Sequence, residues 1–325
     1  MKWALLFLLM LLAMIMLPAY PVEAQPLSKG YLVVTFDDGR DGALAYAAPT
    51  LQQDGVKATM FLYEGSLDQG WQGFLNRQGA LKLQNTFGWQ FESHSMTHPD
   101  LNHLSSGQLT SEIATSKGTL KRDGFQPIAS FAYPYDTGWD NATVLDSVRQ
   151  SYVAARKASV FGNVPIMYDR SRQLGPSGCY SCPPDRYQIY GNVVTNTTSV
   201  QTLTGYLDQA AANRAVLVLV FHQIVSSGAE EYQYLGSDLK SVIDYAREKA
   251  QNGVLESLYF SEAVELLFGV SSFPTSCVLV CLPSVSGVVV AVVAGIAWAF
   301  LLVRWNVKRK DRGATPQLSD DLAVA

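Results

Sequence analysis

This sequence carries little charge: 16% of its 325 residues are Asp, Glu, Lys or Arg, and the formal net charge is -4. That balance leaves no basic footprint, so nucleic acid is excluded as the expected partner. Cysteine is scarce, at 4 residues. Cys179 and Cys182, as "CYSC" in a Gly/Pro-rich loop, do not make a zinc site by themselves, and outside the cytoplasm a local disulfide is the plain expectation. Cys277 and Cys281 leave disulfide formation, acylation and burial all open. No internal repeat is present, which excludes a repeat architecture, and no second folded domain is evident. What is there is a chain 48% hydrophobic, able to bury one substantial core, with attachments at both ends.

Residues 1–24 read as a secretory signal peptide: Lys2, then the apolar run "WALLFLLMLLAMIML", then "VEA" before Gln25. A retained N-terminal anchor is the alternative, although the run is short for a spanning helix. Residues 284–303 contain no charge and are long enough for a transmembrane helix of about 20 residues. The cluster of Arg304, Lys308, Arg309, Lys310 and Arg312 then assigns residues 304–325 to a cytoplasmic tail. Residues 270–283 read as a stalk and 25–269 as the globular domain. The expected localisation is a single-pass protein of the cell membrane with that domain outside. "NAT" at Asn141 and "NTT" at Asn196 fit the glycosylation pattern, which matters only in a host that glycosylates.

Between the ends, β-rich apolar runs alternate with helix-length segments. Strands are expected at 31–36, 58–63, 89–93, 128–132, 152–155, 188–193 and 215–221. Helical spacing covers 109–122, 200–213 and 237–251, with Ser105 or Ser106 able to cap the first. The alternation predicts an α/β domain with a largely parallel sheet or barrel. Functional residues are then expected after the strands' carboxyl ends.

The residues at those ends are informative. "VVTFDDGRDGA" places Asp37 and Asp38 side by side after the first strand. Adjacent acids repel, so the pair implies a cation or two divided roles; an ordinary solvated turn is the other reading. "ESHSMTHPDL" follows the third strand, with His94 and His98 four apart, a spacing that lets one helical turn aim two imidazoles at one point. Asp38 with these histidines makes a three-ligand metal site with an open position. "FAYPYDTGW" follows the fourth strand, where Pro134 can hold a fixed turn. "LVLVFHQI" delivers His222 from the seventh. Three of the chain's 4 His and both adjacent acids thus fall at strand ends, which independent chance explains poorly. His103 reads as a surface or supporting residue.

The ordered set "TFDDG", "HSMTH", "FAYPY" and "LVFHQI" resembles the motifs of the polysaccharide deacetylases, carbohydrate esterase family four, in the subgroup with a FAYPY-type third motif. The resemblance covers roughly residues 30–268. It implies an irregular (β/α) barrel of about seven units and a metal-dependent hydrolase that removes acetyl groups from N-acetylated sugars. Carried over residue by residue, it implies Asp38, His94 and His98 as ligands of one divalent metal ion, zinc with cobalt or manganese as alternatives. Asp37 matches the general base, His222 the general acid, and the Tyr135 backbone N–H the oxyanion donor. The implied partner is an acetylated glycan, with no spacing that selects chitin, peptidoglycan or another polymer. Trp71, Trp139 and Tyr180 are candidates for stacking on sugar rings.

Two departures stand out. Many relatives carry Arg where Ala132 stands, and Asp136 replaces the Gly that ends "FAYPYG" in the subgroup, with Gly138 two residues on. Asp37 then needs another partner. Arg156, in the next strand candidate, is within reach of a neighbouring strand's carboxylate; a structural or surface ion pair is its alternative. The competing function is an inactive, membrane-tethered glycan-binding protein of the same fold. A receptor signalling through the short tail is a third reading.

Overall fold

A computed structural model describes residues 26–162, 164–175 and 185–270. Strands β1 (Gly30–Asp37), β2 (Ala58–Leu62), β3 (Gln90–Ser93), β4 (Pro127–Ala132) and β5 (Ala154–Ser159) are neighbours in chain and in space. A short hairpin, β6 (Met167–Tyr168) and β7 (Gln173–Leu174), precedes β8 (Ile189–Val193) and β9 (Val216–Phe221). β8 pairs with β5 and β9, and β9 returns to pair with β1, so seven parallel strands close a barrel. Beyond β9 lie a two-stranded ribbon, β10 (Gln223–Val225) with β11 (Gln233–Leu235), and then β12 (Leu255–Leu258).

The irregularity is local. On one edge of β1, Gly30 to Val33 pair with β12 while Val34 to Asp37 pair with β2. The β6 strand runs antiparallel to the first half of β9, below the point where β8 joins it. Extra short strands thus pair along the parts of β1 and β9 that β2 and β8 do not reach.

The α-helices among the described residues are α1 (Ala48–Gln53), α2 (Arg77–Phe87), α3 (Ser106–Thr110), α4 (Ser116–Arg122), α5 (Ala142–Ser151), α6 (Val200–Asn213), α7 (Gly236–Gln251) and α8 (Phe260–Phe268). The expected helix 109–122 is α3 and α4 joined by a wider π-type segment, Ser111–Thr115. Gln108 accepts from the Ser105 N–H at 2.9 Å, closing its first turn.

Period-two alternation sorts the strand residues into two cores. Tyr31, Val33, Phe61, Ala132, Ala154, Ile189, Val216 and Val218 fill the barrel, and Phe260, Val264 and Leu267 of α8 pack with them. Leu32, Val34, Phe36, Met60, Phe91 and Phe131 face the surrounding helices. Both faces of β1 are therefore buried, as its continuous apolar run requires.

All seven expected barrel strands are present. The fifth is displaced: it was expected at 152–155 and runs from Ala154 to Ser159. Tyr152 is occupied in ending α5, its N–H bonded to Val148 O at 2.8 Å. The shift places Arg156 inside the strand, facing the barrel. Among the described residues no helix is long and apolar enough to cross a membrane. The expected signal peptide, the Cys179–Cys182 loop and the span 284–303 with its tail lie outside the described residues.

Candidate active site

The carboxyl ends of the barrel strands surround a cleft of about 840 Å³ lined by Asp37, Asp38, His94, His98, Tyr135 and His222, among others. Asp37 is the last residue of β1, and its side chain points into the barrel with those of Tyr31 and Val33. At Asp38 the chain turns into the left-handed region, φ 70°, followed by Gly39 at φ 77°. That reversal sends two adjacent carboxylates in different directions, which is how the pair avoids mutual repulsion.

Asp37 meets Arg156. The Arg156 Nη2 donates to both carboxylate oxygens, at 2.5 and 2.7 Å. The guanidinium, 1% exposed, lies 4.7 Å above the Phe61 ring centroid. Burial alone pushes the Asp37 carboxyl up, but Arg156, helped by His94 and His222, more than offsets it and holds the group below its ordinary value. Arg156 stands directly across from Ala132 in the β4–β5 register, and Ala158 stands across from Gly191. A Cβ on Gly191 would lie 3.2 Å from Arg156 Cδ and 2.3 Å from Val220 Cγ2. Two small residues therefore make the slot that the guanidinium fills.

Asp38, His94 and His98 converge. Asp38 Oδ1 is 3.4 Å from His98 Nε2 and 3.7 Å from His94 Nε2, and the two Nε2 atoms are 3.1 Å apart. His94 Nδ1 lies 2.9 Å from Ala132 O; a carbonyl only accepts, so Nδ1 carries the proton and Nε2 presents a lone pair. Burial and the neighbouring His94 push the His98 imidazole down to about 4, which keeps it neutral at physiological pH. Tetrahedral zinc, with ligands at about 2.0–2.1 Å, needs donor atoms about 3.3 Å apart, so the three observed separations fit such an ion. One carboxylate and two imidazoles are also the ligand types a catalytic zinc site uses with an open fourth position.

The two histidines do not meet on a helical turn, as their spacing suggested. They sit on a bent loop with positive φ at Ser95 and His98. His98 N–H donates to Ser95 Oγ at 2.9 Å, and the buried Glu112 accepts from Met96 N, Thr97 N and Thr97 Oγ1 at 2.7–2.9 Å. Glu112 was not singled out in the sequence; one acid in an amphipathic helix gives no local signal of its reach. The same holds for Glu92, fully buried on β3, whose Oε2 takes the Ala129 and Ser130 N–H groups at 2.6 Å where the β3–β4 register shifts. Burial pushes the Glu92 carboxyl up to about 8.

The "FAYPYD" turn puts Tyr135 and Asp136 at φ 54° and 55°. Asp tolerates this region better than most residues, so Asp136 takes the conformation expected of the missing Gly. Its Oδ1 accepts from Ala158 N at 2.7 Å, tying the turn to β5. The turn's backbone bonds run from Asp136 N to Tyr133 O and from Thr137 N to Pro134 O. Among the described residues the Tyr135 N–H has no partner. The Tyr135 ring, 66% exposed, meets His98 edge-on at 4.5 Å.

His222 follows β9, and its Nδ1 is buried with no hydrogen-bond partner among the described residues. Burial lowers its pKa, while Asp37 and Asp38 oppose the shift. His103 is exposed and pairs with Asp100 at 3.5 Å, away from the cluster. Trp71 is half-exposed. Trp139 instead packs under the Lys157 ammonium, 3.3 Å from its ring centroid.

A seven-stranded parallel α/β barrel carrying an Asp-His-His donor set and a separately held acid at its strand ends defines the class of protein. Residues 24–154 match the family model for polysaccharide deacetylase. The Bacillus subtilis (strain 168) protein YxkH, named among the polysaccharide deacetylases, is 33% identical over 107 residues, 33% of this chain and 37% of the relative. A bifunctional xylanase/deacetylase of Pseudobutyrivibrio xylanivorans is 25% identical over 104 residues, 32% of this chain and 16% of that one. The match thus spans well under half the length of either relative. The solved Xyl-CE4 domain of a multidomain xylanase from the hindgut metagenome of Trinervitermes trinervoides is 18% identical, with TM-score 0.47, covering 73% of this chain and 91% of that domain. The family model and the curated relatives thus show residues 24–154 to be similar to polysaccharide deacetylases.

Proposed function

We propose that this chain is a metal-dependent deacetylase that hydrolyses N-acetyl groups on an acetylated glycan, of the subgroup with a FAYPY-type third motif. The observation that carries this reading is the division of the acid pair: Asp38 faces two imidazole Nε2 atoms while Asp37 is held apart by Arg156. A divalent ion, zinc with cobalt or manganese as alternatives, held by Asp38, His94 and His98, supplies a polarised carbonyl and a water of lowered pKa. Asp37, kept ionised by Arg156, takes the proton of the attacking water. The free Tyr135 N–H donates to the oxygen on which charge develops. His222 then gives a proton to the departing amine. Its burial makes the imidazolium a readier donor, at the cost of a protonated fraction that falls at lower pH than for an ordinary histidine.

The test is acetate release from a panel of N-acetylated glycans. Release should stop after dialysis against a chelator and return with zinc, cobalt or manganese. Undiminished release from a verified metal-free preparation refutes the metal reading, and no release from any acetylated glycan favours a binding protein.

The proposal extends to location on the strength of the sequence alone. If residues 284–303 tether an exported domain, protease added to intact cells should cut around residues 269–274 and spare a C-terminal tag. Cleavage of the tag from outside reverses that topology.

A further inference from the structure

Arg40 occupies the cleft beside the donor cluster, and none of the roles above uses it. Its Nε and Nη2 both donate to Asp38 Oδ2, at 3.3 Å each. The other oxygen, Oδ1, is the one that faces His94 and His98. Arg40 is itself fixed. Its backbone forms an antiparallel bridge with Phe74, flanked by the bonds Asp41 N to Gly73 O at 3.1 Å and Leu75 N to Gly39 O at 2.8 Å. Its guanidinium lies 3.9 Å above the Phe74 ring centroid. A planar fork held at one end by backbone bonding and along its face by an aromatic ring has few ways to release its carboxylate.

We infer that Arg40 is a positioning residue that keeps Asp38 a one-oxygen ligand, so that a coordination position remains open for water or the acetyl oxygen. This rests on the metal reading above. A free carboxylate can bind a divalent ion through one oxygen or both. With Oδ2 engaged by two N–H groups, only Oδ1 is available to the ion, and the ligand count stays at three. Without Arg40, Oδ2 swings to the ion and takes the position that substrate needs. The guanidinium also repels the cation, so its loss does not weaken metal binding. A residue that merely braced the fold would show the opposite pattern, with metal bound more weakly and the coordination of the bound fraction unchanged.

The experiment uses the full chain loaded with cobalt(II), whose visible absorption is strong in four-coordinate sites and weakens as the coordination number rises. Wild type, Arg40→Met and Arg40→Lys are compared, with far-ultraviolet circular dichroism confirming that each is folded. Arg40→Met should bind cobalt at least as tightly as wild type, by competition with a chelator, yet lose visible intensity several-fold. Arg40→Lys, which still offers donors to Oδ2, should retain most of it. Identical spectra for wild type and Arg40→Met overturn the inference while leaving the metal site intact. A wild type that binds no cobalt overturns the metal reading and the inference with it. If Arg40→Met is not folded, Arg40→Gln takes its place: its neutral amide does not hold Oδ2 as a guanidinium does, and an unchanged spectrum there counts equally against the role.

Discussion

Replacing Arg156 with methionine removes the charge and keeps most of the stem that packs on Phe61. In the native protein the Arg156 and Asp37 side chains are 1% and 5% exposed, joined by hydrogen bonds of 2.5 and 2.7 Å. Breaking a buried pair from one side costs about 3–5 kcal/mol, because a charge is left without compensation. At about 2–4 °C per kcal/mol for a domain of this size, the melting temperature should fall by about 6–20 °C near neutral pH. The pH dependence carries the sharper signature. In the wild type the Asp37 pKa is depressed, so its contribution to stability is present above the unfolded value of about 3.9 and is lost as pH falls through the folded value. Without Arg156 burial dominates and the folded pKa rises; stability is then lost as pH climbs past about 3.9 toward that raised value. The penalty of Arg156→Met should therefore be large at pH 7 and shrink toward pH 4. The double variant Arg156→Met, Asp37→Asn removes both charges and should recover most of the loss, measurable as coupling in a double-mutant cycle by urea unfolding. Turnover should also fall, with the acidic limb of its pH profile moved upward and metal content unchanged. A penalty below about 1 kcal/mol, or one that is the same at pH 4 and pH 7, refutes the account of this pair.

Two further outcomes are expected. His222→Ala should retain metal yet lose most turnover on amide substrates, while activated acetate esters, whose leaving groups depart without protonation, should suffer less; equal losses on both argue against His222 as the acid. Burial of the Lys157 ammonium between the Trp139 and Tyr190 rings lowers its pKa to about 8. The unfolded chain then binds more protons between about pH 8 and 10.5, and wild-type stability rises with pH across that window. Lys157→Met should accordingly compare more favourably with wild type at pH 7 than at pH 10, by about 1–3 kcal/mol in urea unfolding, and an equal difference at the two pH values counts against a strained ammonium.

Much of this protein is legible in one dimension. Runs such as "YLVVTFD" and "AVLVLVF" announce strands buried on both faces, because only apolar, β-branched and aromatic side chains can fill a barrel on one side and a helix layer on the other. The same runs say where each strand ends, and Asp37, Asp38, His94 and His222 are found at those ends. Other features depend on what barrel closure brings together. Asp37 and Arg156 are 119 residues apart in the chain; their contact needs β5 to run through Arg156 in register with Ala132 and needs small side chains at Ala132 and Gly191 on either side. The convergence of His94 and His98 comes from left-handed backbone at Ser95 and His98 and from Glu112 holding the loop, where a four-residue spacing had suggested a helical turn. Arg40 stands only two residues beyond Asp38 in sequence, yet its grip on Asp38 depends on the reversal at Asp38 and Gly39 and on a bridge to Phe74. Local patterns determine which residues stand at the strand ends because the side-chain period of a strand is local. Which charges then meet is decided by register, closure and the small residues that leave them room, and those are properties of the assembled barrel.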